Sequence, residues 1–214
     1  MIILNVYCIT FVPQNEYSIK RQMKQSTKDT IVQVAGNLFA KYGFYKTSMD
    51  EVAKVARKAK GSLYYHFRSK EDLFKEVLSR ELDGVKSGLM EVVKEHSGPN
   101  DRLIFYYLKK RMELLAKAEI YHETLKADLN ERFAFLDDVR TQFSLWEKNF
   151  FKNIVQKGIE EGAVDPKFNL NMAVEVFFLI SKNTEISFFV QNRFEEFAPH
   201  FDDLIEILIK GIRP

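Results

Sequence analysis

The sequence predicts an all-α protein: an N-terminal three-helix helix-turn-helix unit followed by a larger helical body. Three observations predict it. Chain-breaking residues are few, nine Gly and five Pro in 214 residues, and no clear run of alternating strand pattern occurs. Apolar residues recur at helical spacing through most of the chain from Thr27 onward. Charge is also segregated. Lys20 to Lys70 holds twelve Lys or Arg against three Asp or Glu, a net +9, whereas residues 71–214 carry a net −6. A basic head on an acidic body implies an anionic partner for the head, nucleic acid before an acidic membrane surface.

Taken in order, residues 1–22 read as an extension outside the core. Ile2 to Val12 is apolar but too short to span a bilayer, and it lacks the basic flank and cleavage site of a secretory signal. The helix-turn-helix unit is expected over residues 23–70. Its first helix runs from about Thr27 to Tyr42, with Ile31, Ala35, Leu38, Phe39 and Tyr42 on one face and Gly43 as its stop. Thr47 or Ser48 caps a short second helix that buries Met49, Val52, Ala53 and Ala56. Arg57-Lys58 makes the turn, and the third helix follows from Lys60, held by Leu63 and Phe67 four residues apart.

The body is expected over residues 71–214. Ser69, with Asp72 three residues on, caps a long helix reaching about His96, in which Gly84 and Gly88 mark a bend. Beyond the Ser97-Gly98-Pro99-Asn100 loop, helices run from Asp101 to about Ala118, Ile120 to Phe135, and Asp137 to Glu161. The last of these points Phe143, Trp146, Phe150, Ile154 and Ile159 inward. Two apolar helices close the chain, about 171–191 and 199–212. A helix apolar on more than one face is buried on more than one face, which calls for a second subunit. Phe177, Ile180, Phe188, Leu204, Leu208 and Ile209 are the residues expected in that dimer surface.

Several functions are disfavoured. Cys8 is the only cysteine, so no disulfide framework or cysteine metal site is expected, and a reducing, cytoplasmic setting fits. The four histidines lack metal-ligand spacing. No Gly-rich phosphate loop, nucleophile elbow or Cys-His arrangement is present, so no catalytic residue, metal or cofactor is assigned and an enzyme is not expected. A membrane-surface role is disfavoured because the basic residues surround a three-helix unit and do not form one amphipathic stripe.

Thr47-Ser48, Val52-Ala53 and Gly61-Ser62-Leu63-Tyr64-Tyr65-His66-Phe67-Arg68-Ser69-Lys70-Glu71-Asp72-Leu73 resemble the helix-turn-helix pattern of the TetR family of bacterial transcription regulators. The resemblance covers about a quarter of the chain, Thr27 to Leu73. It implies a dimeric, sequence-specific DNA-binding regulator, most commonly a repressor, on a pseudo-palindromic operator. On chemical grounds Lys60 and Ser62 suit base edges, Gly61 lets the backbone approach, and Tyr64 reaches a thymine methyl or a phosphate. Tyr65, His66, Lys70, Thr47 and Ser48 resemble the family's phosphate contacts, and Arg57 and Lys58 add attraction.

The resemblance also implies a small-molecule effector, apolar or aromatic, bound among the middle helices and releasing DNA. Tyr106, Tyr107, Met112, Phe133, Trp146, Phe150 and Phe177 are its candidate lining, with His122 as a polar anchor. The alternative is a DNA-binding protein of architectural role, with a filled core and no effector. Two positions depart from the family pattern: Arg57 stands where glycine is common, and Ala59 where a capping serine is common. Either the turn differs, or Arg57 accepts a positive φ while facing a phosphate.

Overall fold

The computed structural model describes residues 14–128, 133–167 and 169–214. Among them every regular element is helical. Helix α1 (Gln14–Lys46) starts well before the helix expected from Thr27, so residues 14–22 are helical, while residues 1–13 lie outside the described part. Gly43, at φ 80° and ψ 167°, breaks the helix where a stop is expected, but helical turns resume as far as Lys46. Ile31, Ala35 and Phe39 recur every four residues and are fully buried.

Helices α2 (Met49–Val55) and α3 (Lys60–His66) complete the head. The Ser48 hydroxyl accepts from the Glu51 N–H at 3.2 Å, and Asp50 and Glu51 place negative charge on the same positive helix end. Ala59 starts α3 with no side-chain cap, so the turn itself must set the helix direction. Arg57 does so at φ 53°. The turn takes a positive φ, and a non-glycine residue carries it.

Helix α4 (Lys70–Glu95) is capped by Ser69, whose hydroxyl accepts from the Asp72 N–H at 3.0 Å. It runs through Gly84 and Gly88 as one helix. Gly88 marks a close approach, since a Cβ there would lie 2.8 Å from a Leu114 methyl on α5 (Asn100–Ala116). Helix α6 (Glu119–Asp128) packs against both α1 and α4. A 3₁₀ turn at Ala134–Leu136 leads into α7 (Asp137–Glu160). Helix α8 (Leu170–Glu185) continues into a π-helical turn at Ile186–Val190. The short α9 (Phe194–Phe197), a 3₁₀ turn and α10 (Phe201–Ile212) end the fold.

One apolar core runs from head to body. At the junction Phe44 meets Phe74 and Phe133 with ring centroids 5.1 and 5.2 Å apart, in edge-on contacts that add to burial. The buried stripe of α7 is Phe143, Glu147, Phe151 and Ile154. It lies one step round from the expected one, and Trp146 and Phe150 are only half-buried.

Candidate nucleic-acid interface and effector cleft

Leu63 and Phe67 are buried where α3 packs against α2. Its outer side presents Lys60, Gly61, Tyr64 at 42% exposure and Tyr65 at 68%, with Ser62 and His66 half-buried beside them. A Cβ on Gly61 would meet nothing within 4 Å, so no packing demand from the protein requires glycine there. The Lys60 ammonium lies 2.7 Å from the Asp50 carboxylate across the turn, with both side chains exposed. Such a pair is weak in water and opens readily to another anion. Tyr65 packs edge-on to His66 at 5.2 Å. Ser48, Arg57 and Lys58 lie on the same side of the turn in sequence; Ser48 and Arg57 are exposed and Lys58 half-buried.

Two expected phosphate contacts have other roles. Thr47 is 1% exposed, and its hydroxyl donates to the carbonyls of Gly43 at 2.9 Å and Leu38 at 3.3 Å. It therefore ties the broken end of α1 and has no free side chain for DNA. The Lys70 ammonium donates to the Phe44 carbonyl at 2.9 Å and sits 4.3 Å above the Phe44 ring. It is a clamp between the start of α4 and the end of α1.

A cleft of about 780 Å³ opens between α7 and α8 with α5 and α6 beneath it. Apolar walls come from Leu125, Phe143, Leu145, Phe178, Leu179 and Ile186. Its floor is charged. Arg111 donates through Nε to Glu147 Oε1 at 2.8 Å, and through one terminal nitrogen to Glu147 Oε2 at 3.2 Å and Glu185 Oε1 at 2.7 Å. Tyr121 donates to Glu185 Oε2 at 2.6 Å, and Tyr107 to Glu147 Oε1 at 3.4 Å. Arg111, Glu147 and Glu185 are each no more than 4% exposed. Burial pushes the Glu147 carboxyl above its ordinary range against the pull of Arg111, and burial raises both tyrosine hydroxyls well above theirs.

None of the eight aromatic, Met or His residues expected to line an effector site lines this cleft. Tyr107 is fully buried under Glu147, Tyr106 is 47% exposed, and Phe133 belongs to the head–body junction. Trp146 stacks on Phe150 at 5.0 Å and Phe177 on Phe151 at 4.8 Å, while Met112 packs against the core. His122 stacks on Phe189 at 4.4 Å and donates from Nε2 to the Leu115 carbonyl at 2.7 Å. Phe150 lines a smaller cleft of about 470 Å³ near the α4–α5 loop.

A sequence profile described as bacterial regulatory proteins, tetR family, matches residues 31–77, from within α1 through α2 and α3 to the first turns of α4. The repressor KstR2 of Rhodococcus jostii is 28% identical over 167 residues, 75% of this chain and 77% of that protein. The regulator QacR of Staphylococcus aureus is 48% identical over 54 residues, 25% of this chain and 29% of its own. The solved FadR of Bacillus subtilis, in complex with stearoyl-CoA, superposes with a TM-score of 0.70 at 19% identity, covering 86% of this chain and 98% of that one. The chain therefore carries, at residues 31–77, the tetR-family domain of bacterial regulatory proteins.

Its relatives are transcriptional regulators and not enzymes. Among the described residues no group of three or more His, Cys, Asp or Glu could hold a metal ion, and no helix is long and apolar enough to cross a membrane. The TetR-type head was legible from its motif; the charged floor was missed. Its signal is nonetheless in the sequence. Arg111 stands between Leu108 and Leu115 on the buried stripe of α5, Glu147 between Phe143 and Phe151 on α7, and Glu185 between Phe178 of α8 and Phe189 of the π-helical turn that follows. Three charged residues, each on the apolar stripe of its own helix, point to one another.

Proposed function

We propose that this TetR-family protein is a ligand-responsive repressor that binds a pseudo-palindromic operator as a homodimer and lets go when a small molecule fills the α7–α8 cleft. The exposed outer face of α3 carries this reading, with Lys60 and Ser62 at its N-terminal end for base edges. Ser48, Arg57, Lys58, Tyr64, Tyr65 and His66 stand round it for phosphates. One such head reads only a few base pairs, so two heads about 34–36 Å apart, or a multiple, give the specificity.

The second head comes from a second copy of the chain. Ile180 is 61% exposed on α8, and Leu208 is 54% exposed on α10, beside Leu204 at 43%. Met172, Val176, Leu179 and Ile207 extend this apolar surface. Exposed apolar side chains of this number favour a four-helix contact across a two-fold axis. Phe188 and Ile209 are buried inside the protomer, and Phe177 is half-buried against Phe151, so the contact rests on the exposed residues.

The open cleft favours a sensor over an architectural protein with a filled core. FadR of Bacillus subtilis, in complex with stearoyl-CoA, is a relative of the same fold with a small molecule bound. Coupling to DNA runs through α6. Its N-terminal amides at Ile120 and Tyr121 donate to the Glu81 carboxylate of α4 at 3.1 and 2.7 Å, while the Tyr121 hydroxyl reaches Glu185 under the cleft. A ligand that moves Tyr121 therefore pulls on the helix that follows α3.

The test is selection of bound DNA from a random pool, followed by sedimentation of the protein with the selected site. Two protomers per site with two related half-sites are expected, and Ile180→Glu combined with Leu208→Glu should give a monomer with much weaker binding. An asymmetric site bound by one protomer would refute the reading.

A further inference from the structure

The geometry points to an organic cation, an amine or amidine carried on an apolar or aromatic body, as the ligand class of the α7–α8 cleft. The inference rests on the sensor reading above and names what that sensor takes. At the floor, one guanidinium faces two carboxylates, all three side chains nearly removed from water. With both carboxylates ionised, the floor has one negative charge more than positive, in surroundings where an uncompensated charge is costly.

The remaining charges of the cleft belong to more exposed side chains, so the surplus is confined to the buried floor. At the rim Arg140 pairs with Asp137 at 2.6 Å, and Lys148 is hydrogen-bonded to Glu175 at 2.5 Å. Lys182 also lines the cleft, but it is exposed on α8, where water and salt screen its charge. Arg111 has its Nε and one terminal nitrogen already committed to carboxylates, so an anion approaching it meets the like charges of Glu147 and Glu185 on the same group. A fully apolar tail driven to the floor would strip water from charged groups and return no hydrogen bond.

A cationic head does the reverse. It donates to carboxylate oxygens, takes up the surplus charge, and leaves its apolar body between Phe143 and Phe178, whose aromatic faces also attract cations. Tyr121 shares Glu185 with such a head, which connects occupancy to α6.

Three probes of equal body and different head test this: 4-phenylbutylamine, 4-phenylbutanol and 4-phenylbutyrate, each titrated into the full-length protein by calorimetry. The amine should bind about ten-fold or more tightly than the alcohol, and the carboxylate most weakly, because charge-assisted hydrogen bonds exceed neutral ones. In Glu185→Gln, which keeps the shape and a hydrogen-bonding group, the amine's advantage over the alcohol should fall to within about two-fold. If that variant does not fold, the wild-type order of the three probes decides alone. Carboxylate or alcohol binding as tight as the amine overturns the inference. The sensor reading is judged separately, by release of the selected DNA. Amine binding without release would sink the sensor but keep the cation site. Release only by neutral or anionic molecules would keep the sensor and sink the cation.

Discussion

Replacing Arg57 by glycine should raise the protein's stability and weaken its grip on DNA, through two separate causes. Arg57 turns the chain between α2 and α3 at φ 53°. In that region Cβ crowds the carbonyl that follows, at about 1–2 kcal/mol for a non-glycine residue. The conformation is held on both sides. The Arg57 N–H donates to the Lys54 carbonyl at 3.2 Å, and the Lys58 N–H to the Ala53 carbonyl at 3.0 Å, so glycine inherits the same turn. Glycine costs roughly 0.5–1 kcal/mol in extra freedom of the unfolded chain, leaving a net gain of about 0–1.5 kcal/mol. For a protein of this size that is a Tm increase of up to about 5 °C.

The guanidinium is exposed on the basic head, and its loss removes one phosphate partner. Affinity should fall alike on all DNA sequences, and the slope of log K against log salt should shrink by about one. Thermal melts and DNA titrations at several salt concentrations read both effects. Arg57→Lys, which keeps charge and strain, should match the wild type in both. A lower Tm for the glycine variant would refute the strain argument. An unchanged salt slope would refute the phosphate contact.

Lys60→Ala should relax base preference at one operator position and weaken specific binding about ten-fold or more, whereas equal losses on all sequences would make it a phosphate contact only. Asp50→Asn, which releases Lys60 from its ion pair, should strengthen DNA binding at low salt and lose that gain at high salt. Lys70→Met should cost roughly 1–2 kcal/mol in denaturant unfolding through loss of the Phe44 contacts, with the salt slope of DNA binding unchanged. Burial holds the His122 pKa below 6.5. The unfolded chain therefore keeps a proton that the fold sheds, so stability should rise as pH climbs through the window up to 6.5 and decline below it. His122→Gln should flatten that part of the pH profile. Tyr121→Phe should leave DNA affinity intact while reducing ligand-driven release, and unimpaired release would exclude the Tyr121 route.

The head was legible because its signals are local. Ser48 and Ser69 lie three residues before the amides they accept from, and Leu63 and Phe67 fall on one face of a two-turn helix. Even the awkward turn could be located, though only the structure shows that Arg57 takes the positive φ. The body yields less, because its decisive contacts join helices far apart in sequence. On α7 the neighbours Phe150 and Phe151 offer two alternative stripes, and an apolar count favours the one containing Trp146. The structure selects the stripe containing Glu147 because Arg111, 36 residues away, is there to pair with it. Thr47 and Lys70 show the opposite limit. A local motif located them correctly, but whether their polar atoms face DNA or the end of α1 depends on where Gly43 breaks that helix.

The buried charges and the basic head belong to one physical argument. A charged triad costs stability compared with well-packed apolar side chains, and keeping one calls for a role beyond holding helices together. This triad joins three helices of the body, since Arg111 is on α5, Glu147 on α7 and Glu185 on α8. Through Tyr121 it also grips the N-terminus of α6, whose first amides are held from the other side by Glu81 of α4. Burial raises the Glu81 carboxyl, and the two N–H donors oppose that shift. The carboxylate therefore gives up much of its hydration for the cap and depends on α6 staying in place. Helix α4 begins shortly after α3, and Lys70 ties its first turn to the Phe44 carbonyl of the head. A shift of the first turn of α6 thus strains hydrogen bonds to both α4 and α8. Such a linkage passes on whichever arrangement of the triad the cleft's occupant favours, by as much as the ligand's affinities for the two arrangements differ.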